Sequence, residues 1–130
     1  MAGTLTISTL SDGTNSTSAT NCIKGSSKAW ANFQGGGSGT TAGTINGSYN
    51  VSSITVNGTG DYTLNFTSAI TANYAWSGSG INAAGTGPAL VTWTSSTGTQ
   101  STTQLRVKTV DSTAANTSNF YQVSVLVLSS

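Results

Sequence analysis

The chain has no histidine and no glutamate, one cysteine, one proline, and charged residues at only 5% of its length. Each absence excludes something. Without histidine or glutamate the usual general bases, zinc ligands and triad members are missing, and Asp12, Asp61 and Asp111 are the only acidic side chains. A non-enzymatic protein with no cofactor and no metal is therefore expected, and a sugar-cleaving depolymerase has too few groups to work with. Cys22 cannot close an internal disulfide, so the fold does not rest on crosslinks; the residue reads as small and half-buried. Four cations against three aspartates leave a net charge of +1, too little to steer nucleic acid or an anionic membrane surface. No apolar run approaches the ~20 residues that span a bilayer. The N-terminal MAGTLTISTLSDG has no basic region followed by an apolar one, so nothing marks it for general secretion, and synthesis in the cytoplasm of the producer is expected.

What is present is hydroxyl and glycine: Ser and Thr number 45 of 130 residues, and Gly 16. The polar surface must be built from hydroxyls and amides. The length suits one domain, able to bury roughly two thirds of the surface its unfolded chain exposes. No segment repeats apolar residues at i, i+3, i+4 and i+7 over three turns, whereas apolar-polar alternation recurs between Gly, Asn and Ser punctuation. An all-β chain follows. Strands are expected at Thr4 to Leu10, Lys28 to Gln34, both arms of Tyr49 to Phe66, Asn73 to Ser77, Ala89 to Ser95, Thr102 to Val110 and Phe120 to Leu128. About eight strands at this spacing predict an antiparallel β-sandwich, jelly-roll-like or barrel-like. Residues 1–21 read as an N-terminal strand or arm able to dock on a neighbouring subunit, and residues 22–130 as the sandwich domain. The stretch SDGTNSTSATN reads as a loop or an extended arm, and GGGSGTTAG as a flexible loop.

The segment YNVSSITVNGTGDYTLNF, Tyr49 to Phe66, is a hairpin written in neutral residues. Its apolar parity flips across Ser52-Ser53, which predicts a bulge there. Asn57-Gly58-Thr59-Gly60 reads as the turn, with Asn57-Gly58 its strong tight-turn signal because both residue types tolerate positive φ. In the second arm Tyr62, Leu64 and Phe66 share one face and Thr63, Asn65 and Thr67 the other. Asp61 reads as a turn residue accepting local backbone N–H groups, and Asp12-Gly13-Thr14-Asn15 as a polar turn with too few carboxylates for calcium. Arg106 and Lys108 share a strand face and read as a solvated outer surface able to meet an anionic sugar. Six Asn-x-Ser/Thr triplets, from Asn15 to Asn116, are what chance predicts in so hydroxyl-rich a chain.

The aromatics are the chemically richest residues left. Trp30, Phe33, Tyr49, Tyr62 and Phe66 are expected in the core or a subunit interface, since most rings in a sheet protein are buried. Tyr74 and Trp76, the latter followed by Ser-Gly-Ser-Gly, are the best exposed candidates. With Arg106 and Lys108 they form the expected surface contact, together with a loop at Ser77 to Gly87.

The run CIKGSSKAWANFQG, a Gly-rich gap, and INGSYNVSSITVNGTGDYTLNFTSAITANYA together resemble a segment of tail-fibre and other structural proteins of tailed bacteriophages. Lys-Ala-Trp, Asn-Phe, Ser-Tyr-Asn-Val-Ser-Ser-Ile-Thr, Gly-Asp-Tyr and Asn-Phe carry the likeness in order and spacing, over about Cys22 to Ala75. The resemblance implies a virion component, homotrimeric and displayed outward, with identical subunits, other tail or capsid proteins, and a host surface glycan or receptor as partners. A tail-fibre-type host-recognition module is the first expectation. A capsid decoration (cement) protein is the second, since a chain starting at Met1 with no long shaft departs from a usual fibre. Composition agrees with an assembly part, because neutral surfaces pack together with little charge desolvation.

Overall fold

A computed structural model describes residues 3–71, 73–82, 90–92, 100–110 and 117–128. Within them the chain is all-β and antiparallel, as alternation predicts. The elements run β1 (Thr9–Ser11), β2 (Ser16–Ser18), α1 (Ala19–Gly25), β3 (Ser27–Gln34), β4 (Ile45–Tyr49), β5 (Val51–Gly58), β6 (Asp61–Phe66), β7 (Ala75–Asn82), β8 (Leu90–Thr92), β9 (Gln104–Val110) and β10 (Phe120–Leu128). Eight strands form one sheet in the order β4-β3-β10-β7-β8-β9-β6-β5, and β1 pairs only with β2. Strands β7 to β10 run 10-7-8-9 in space, the Greek-key arrangement of three consecutive strands with the fourth returning beside the first.

The sheet folds onto itself without closing into a barrel. β7 and β8 join through one pair, Ser79 opposite Leu90, so the halves β4-β3-β10-β7 and β8-β9-β6-β5 turn their apolar faces together. Phe33 of β3 and Tyr62 of β6 lie far apart in sheet order, yet their rings meet edge-on with centroids 5.2 Å apart. Around them pack Ala29 and Ala31, Leu64 and Phe66, Leu105 and Val107, and Val123, Val125 and Val127, from alternate positions of their strands, with Phe120 brought in by a register shift between Phe120 and Gln122. Each large apolar side chain so buried contributes about 1.5–3 kcal/mol. The Tyr62 hydroxyl donates to the Gly35 carbonyl at 2.5 Å, which satisfies the polar atom carried into the core. Burial pushes the Tyr62 hydroxyl pKa up.

Several local expectations are corrected. Residues 3–7 have no regular structure, and of the first expected strand only Thr9 and Leu10 pair, in a strand that ends at Ser11. The stretch SDGTNSTSATN is a hairpin turn, β2 and the start of α1 rather than a loop. Ser18 caps α1 by accepting from the Asn21 N–H at 3.2 Å. Two turns are too short for the three-turn apolar repeat that would have revealed a helix. Cys22 is exposed on it rather than half-buried. The segment GGGSGTTAG is tied down: Gly37 N–H donates to Phe120 O, and Gly43 N–H to Gln34 O. The strand expected at Asn73 to Ser77 begins at Ala75 and runs on through Ser-Gly-Ser-Gly to Asn82, so half of the expected contact loop is sheet. Residues 83–87 of that loop, Trp93 and Asp111 lie outside the described residues.

In the β5–β6 hairpin the bulge falls at Ser52, as the parity flip predicts. The turn does not fall at Asn57-Gly58. β5 continues through Gly58, a second irregularity sits between Val56 and Gly58, and Gly60 takes the positive φ of +62°. The backbone of Gly60 is wedged against Ser118 and Thr109, leaving no room for a Cβ. That packing, invisible locally, moves the turn to Thr59-Gly60.

Candidate functional site

The two halves of the sandwich present outer faces of different chemistry. On β5-β6-β9 the outward positions are all polar: Ser53, Thr55 and Asn57, then Asp61, Thr63 and Asn65, then Gln104, Arg106 and Lys108, set opposite one another by strand register. Asn65 Nδ2 donates to Ser53 Oγ (3.0 Å) and Thr55 Oγ1 (2.9 Å), and Asn57 Nδ2 to Thr63 Oγ1 (2.9 Å). These side chains satisfy each other.

Charge on this face is concentrated on Asp61. Arg106 grips its carboxylate with both arms, Nε to Oδ1 at 2.8 Å and Nη2 to Oδ2 at 2.7 Å, and Lys108 Nζ lies 3.9 Å from Oδ2. Asp61 is therefore the centre of an ion cluster rather than a backbone-capping turn residue. Arg106 and Lys108 are turned to it while their side chains stay 26% and 33% accessible. The Arg106 hydrogen bonds hold the Asp61 carboxyl below the usual carboxylate range, burial opposing them only in part. Asp12 behaves as expected: Thr14 and Asn15 N–H groups donate to its Oδ1 at 2.9 and 2.7 Å, closing a polar turn and lowering its pKa.

Of the expected surface aromatics, Tyr74 is not at the surface. Only 5% accessible, it packs edge-on to Phe66, donates to Gln104 O at 3.0 Å, and has its hydroxyl pKa pushed up to about 12 by burial. Trp76 is half-buried against the core, because its parity on β7 points it inward with Gly78 and Gly80. Phe33, Tyr62 and Phe66 are core as expected. Trp30 and Tyr49, assigned with them to core or interface, are not core: in the single chain they are exposed at 39% and 59%.

No family model matches the chain, and neither a search of curated proteins nor one of solved structures finds a match.

Trp30 and Tyr49 are cross-strand partners on the outer face of the β4-β3-β10-β7 half, with Leu126 beside Trp30 and Ser77 beside Leu126. The next row is Gly47, Asn32, Ser124 and Ser79. Asn32 Nδ2 donates to Ser124 Oγ at 2.8 Å, and Asn32 Oδ1 accepts from Asn46 Nδ2 at 3.0 Å. With Ala31, Gly78 and Val125 as its floor, this face holds a shallow groove of about 350 Å³. Asn32, Ser124 and Leu126 were not singled out from the sequence. The alternation of β10 held the signal, since placing Val123, Val125 and Val127 inside turns Ser124 and Leu126 outward.

A second exposed apolar set lies on the N-terminal segment, with Leu5 at 82%, Ile7 at 40%, Leu10 at 52% and Ile23 at 65%. β1 and β2 are exposed along their whole length.

Proposed function

We propose that the chain is a non-enzymatic structural protein of a tailed-phage virion, a tail-fibre-type host-recognition module displayed on the particle surface. The observation that carries the reading is the contrast between the two outer faces. One is a self-satisfied polar surface, while the other exposes Trp30, Tyr49 and Leu126 beside a groove. Exposed rings that converge with polar groups mark a surface meant for a partner. Non-enzymatic action is supported by the missing bases and by Asp61 and Asp12 being committed to Arg106 and to a turn.

The alternative, a capsid decoration protein, is favoured by the N-terminal segment. Its apolar side chains at Leu5, Ile7, Leu10 and Ile23 are uncovered, which suits an arm laid on a shell or a neighbouring copy.

Gold-labelled antibody on purified virions separates the readings. Label at the tail, with adsorption of the purified protein to host cells and block of infection, is the expected result. Label over the capsid moves the assignment to decoration, and virions without label overturn both.

A further inference from the structure

The outer groove on β3, β10 and β7 has the chemistry of a specific ligand site. Trp30 forms its apolar wall. The indole is seated against the backbone of Gly47 on β4, where an added Cβ would sit 3.5 Å from its ring carbons, and 39% of the residue stays accessible. Opposite, the outward positions of β7 along the groove are the small Ser77 and Ser79, and Leu126 of β10 stands between Trp30 and Ser77.

Its polar groups divide into two sets. Asn32 and Ser124 are bonded to each other and oriented by Asn46, leaving the Ser124 hydroxyl hydrogen free to donate. Among the described residues, the indole N–H of Trp30 and the hydroxyls of Ser77 and Ser79 make no hydrogen bond within the chain. Donors and acceptors therefore converge on an open aromatic surface. No charged side chain lines the groove, and Arg106 and Lys108 face Asp61 in the other half of the sandwich. A phosphate, sulfate or sialyl group has no cation here to offset its desolvation.

We propose that this groove binds a neutral sugar residue, with the Trp30 indole against an apolar face of the pyranose and Asn32, Ser77, Ser79 and Ser124 taking its hydroxyls. A pyranose presents C–H groups on one face and hydroxyls around its rim, matching an aromatic wall beside a row of amides and hydroxyls. The proposal names the ligand class for the host-recognition reading and rests on it for its biological setting. Locating the protein on the virion tests that reading, and the binding measurement below tests only the groove.

The probe is a panel of neutral mono- and trisaccharides of gluco, galacto, manno and N-acetylhexosamine type, with sialyllactose as the anionic control. The readout is the Trp30 indole N–H resonance of the full chain, assigned with Trp30→Phe. At least one neutral sugar should shift that resonance saturably, with sialyllactose bound at least about tenfold more weakly. Trp30→Ala should weaken binding about tenfold, by loss of the stacking surface. Ser79→Val, which keeps Trp30 but fills the groove, should weaken it similarly while leaving the melting temperature near that of the parent. The proposal is overturned if no neutral sugar shifts the resonance, if Trp30→Ala binds like the parent, or if sialyllactose binds as tightly. It is equally overturned if Trp30 responds only to protein concentration, since the occupant is then a second copy.

Discussion

Asp61 shows how one side chain organises a face. It is the only described carboxylate that meets cations, and Arg106 holds it with two short hydrogen bonds at a residue exposure of 8%. Replacing it with Asn leaves Arg106 and Lys108 without their counter-charge in a half-buried setting. Asp61→Asn is expected to cost about 1–2 kcal/mol in urea unfolding at pH 7, between the values for exposed and buried pairs. The folded-state pKa of Asp61 is lowered, so its stabilisation is complete above the unfolded value near 4 and fades as pH falls through the folded one. The parent should therefore lose more stability between pH 5 and pH 2.5 than Asp61→Asn does. Equal losses would show that the pair contributes nothing. Tyr62 and Tyr74 act oppositely, because burial raises both. Their contribution is complete below the unfolded value near 10 and is lost as pH rises through the folded values, about 12 for Tyr74.

Among the elements, the β5–β6 hairpin separates local preference from tertiary demand. Asn57-Gly58 is the stronger turn signal by residue type, yet Gly60 has the positive φ and the backbone of Ser118 and Thr109 against its Cα. Gly58 has nothing within 4 Å of an added Cβ, and its φ is not positive. Gly60→Ala should cost roughly 2–4 kcal/mol, combining left-handed strain with a clash against backbone that cannot rotate away. Gly58→Ala should lie within about 0.5 kcal/mol of the parent. Thermal unfolding of the two variants reads this directly, and the reverse ranking would return the turn to Asn57-Gly58. The same contrast explains which strands were legible. β3, β9 and β10 alternate between a buried and an outward side, β6 alternates apolar with polar residues, and all four were visible as period-two patterns. β7 was cut short in the reading because Ser-Gly-Ser-Gly has no apolar residue to mark its inward side, where Gly80 leaves room for Phe120.

For the whole molecule, the question is which surfaces hold copies together. The exposed edges of the sheet are less open than a flat edge strand, since β5 is approached by Gly43 of the glycine-rich segment and Ser48 donates to Val51 O. A homotrimer is expected to form through the N-terminal segment, which would leave the Trp30 groove open to a ligand. Light scattering at micromolar concentration should then give about three times the 13.0 kDa chain mass. Substituting Leu5, Ile7 and Leu10 together by Ser should yield monomers with the thermal transition of the sheet retained. A monomeric parent removes the trimer, and a trimeric triple variant removes the arm as its cause.

The sequence by itself determined the all-β class, which residues share a side in β3, β6, β9 and β10, the bulge at Ser52 and the near-absence of acid-base chemistry. Alternation, parity and composition are local properties that survive without knowledge of partners. Only the tertiary structure decided that Tyr74 is core and Trp30 is surface, that Asp61 joins Arg106, and that Asn32, Ser124 and Ser79 stand in one row. Parity says which residues share a side of a strand. Which side faces the other half of the sandwich, and which strands lie adjacent, depends on pairings between residues as far apart in the chain as Ser27 and Leu128.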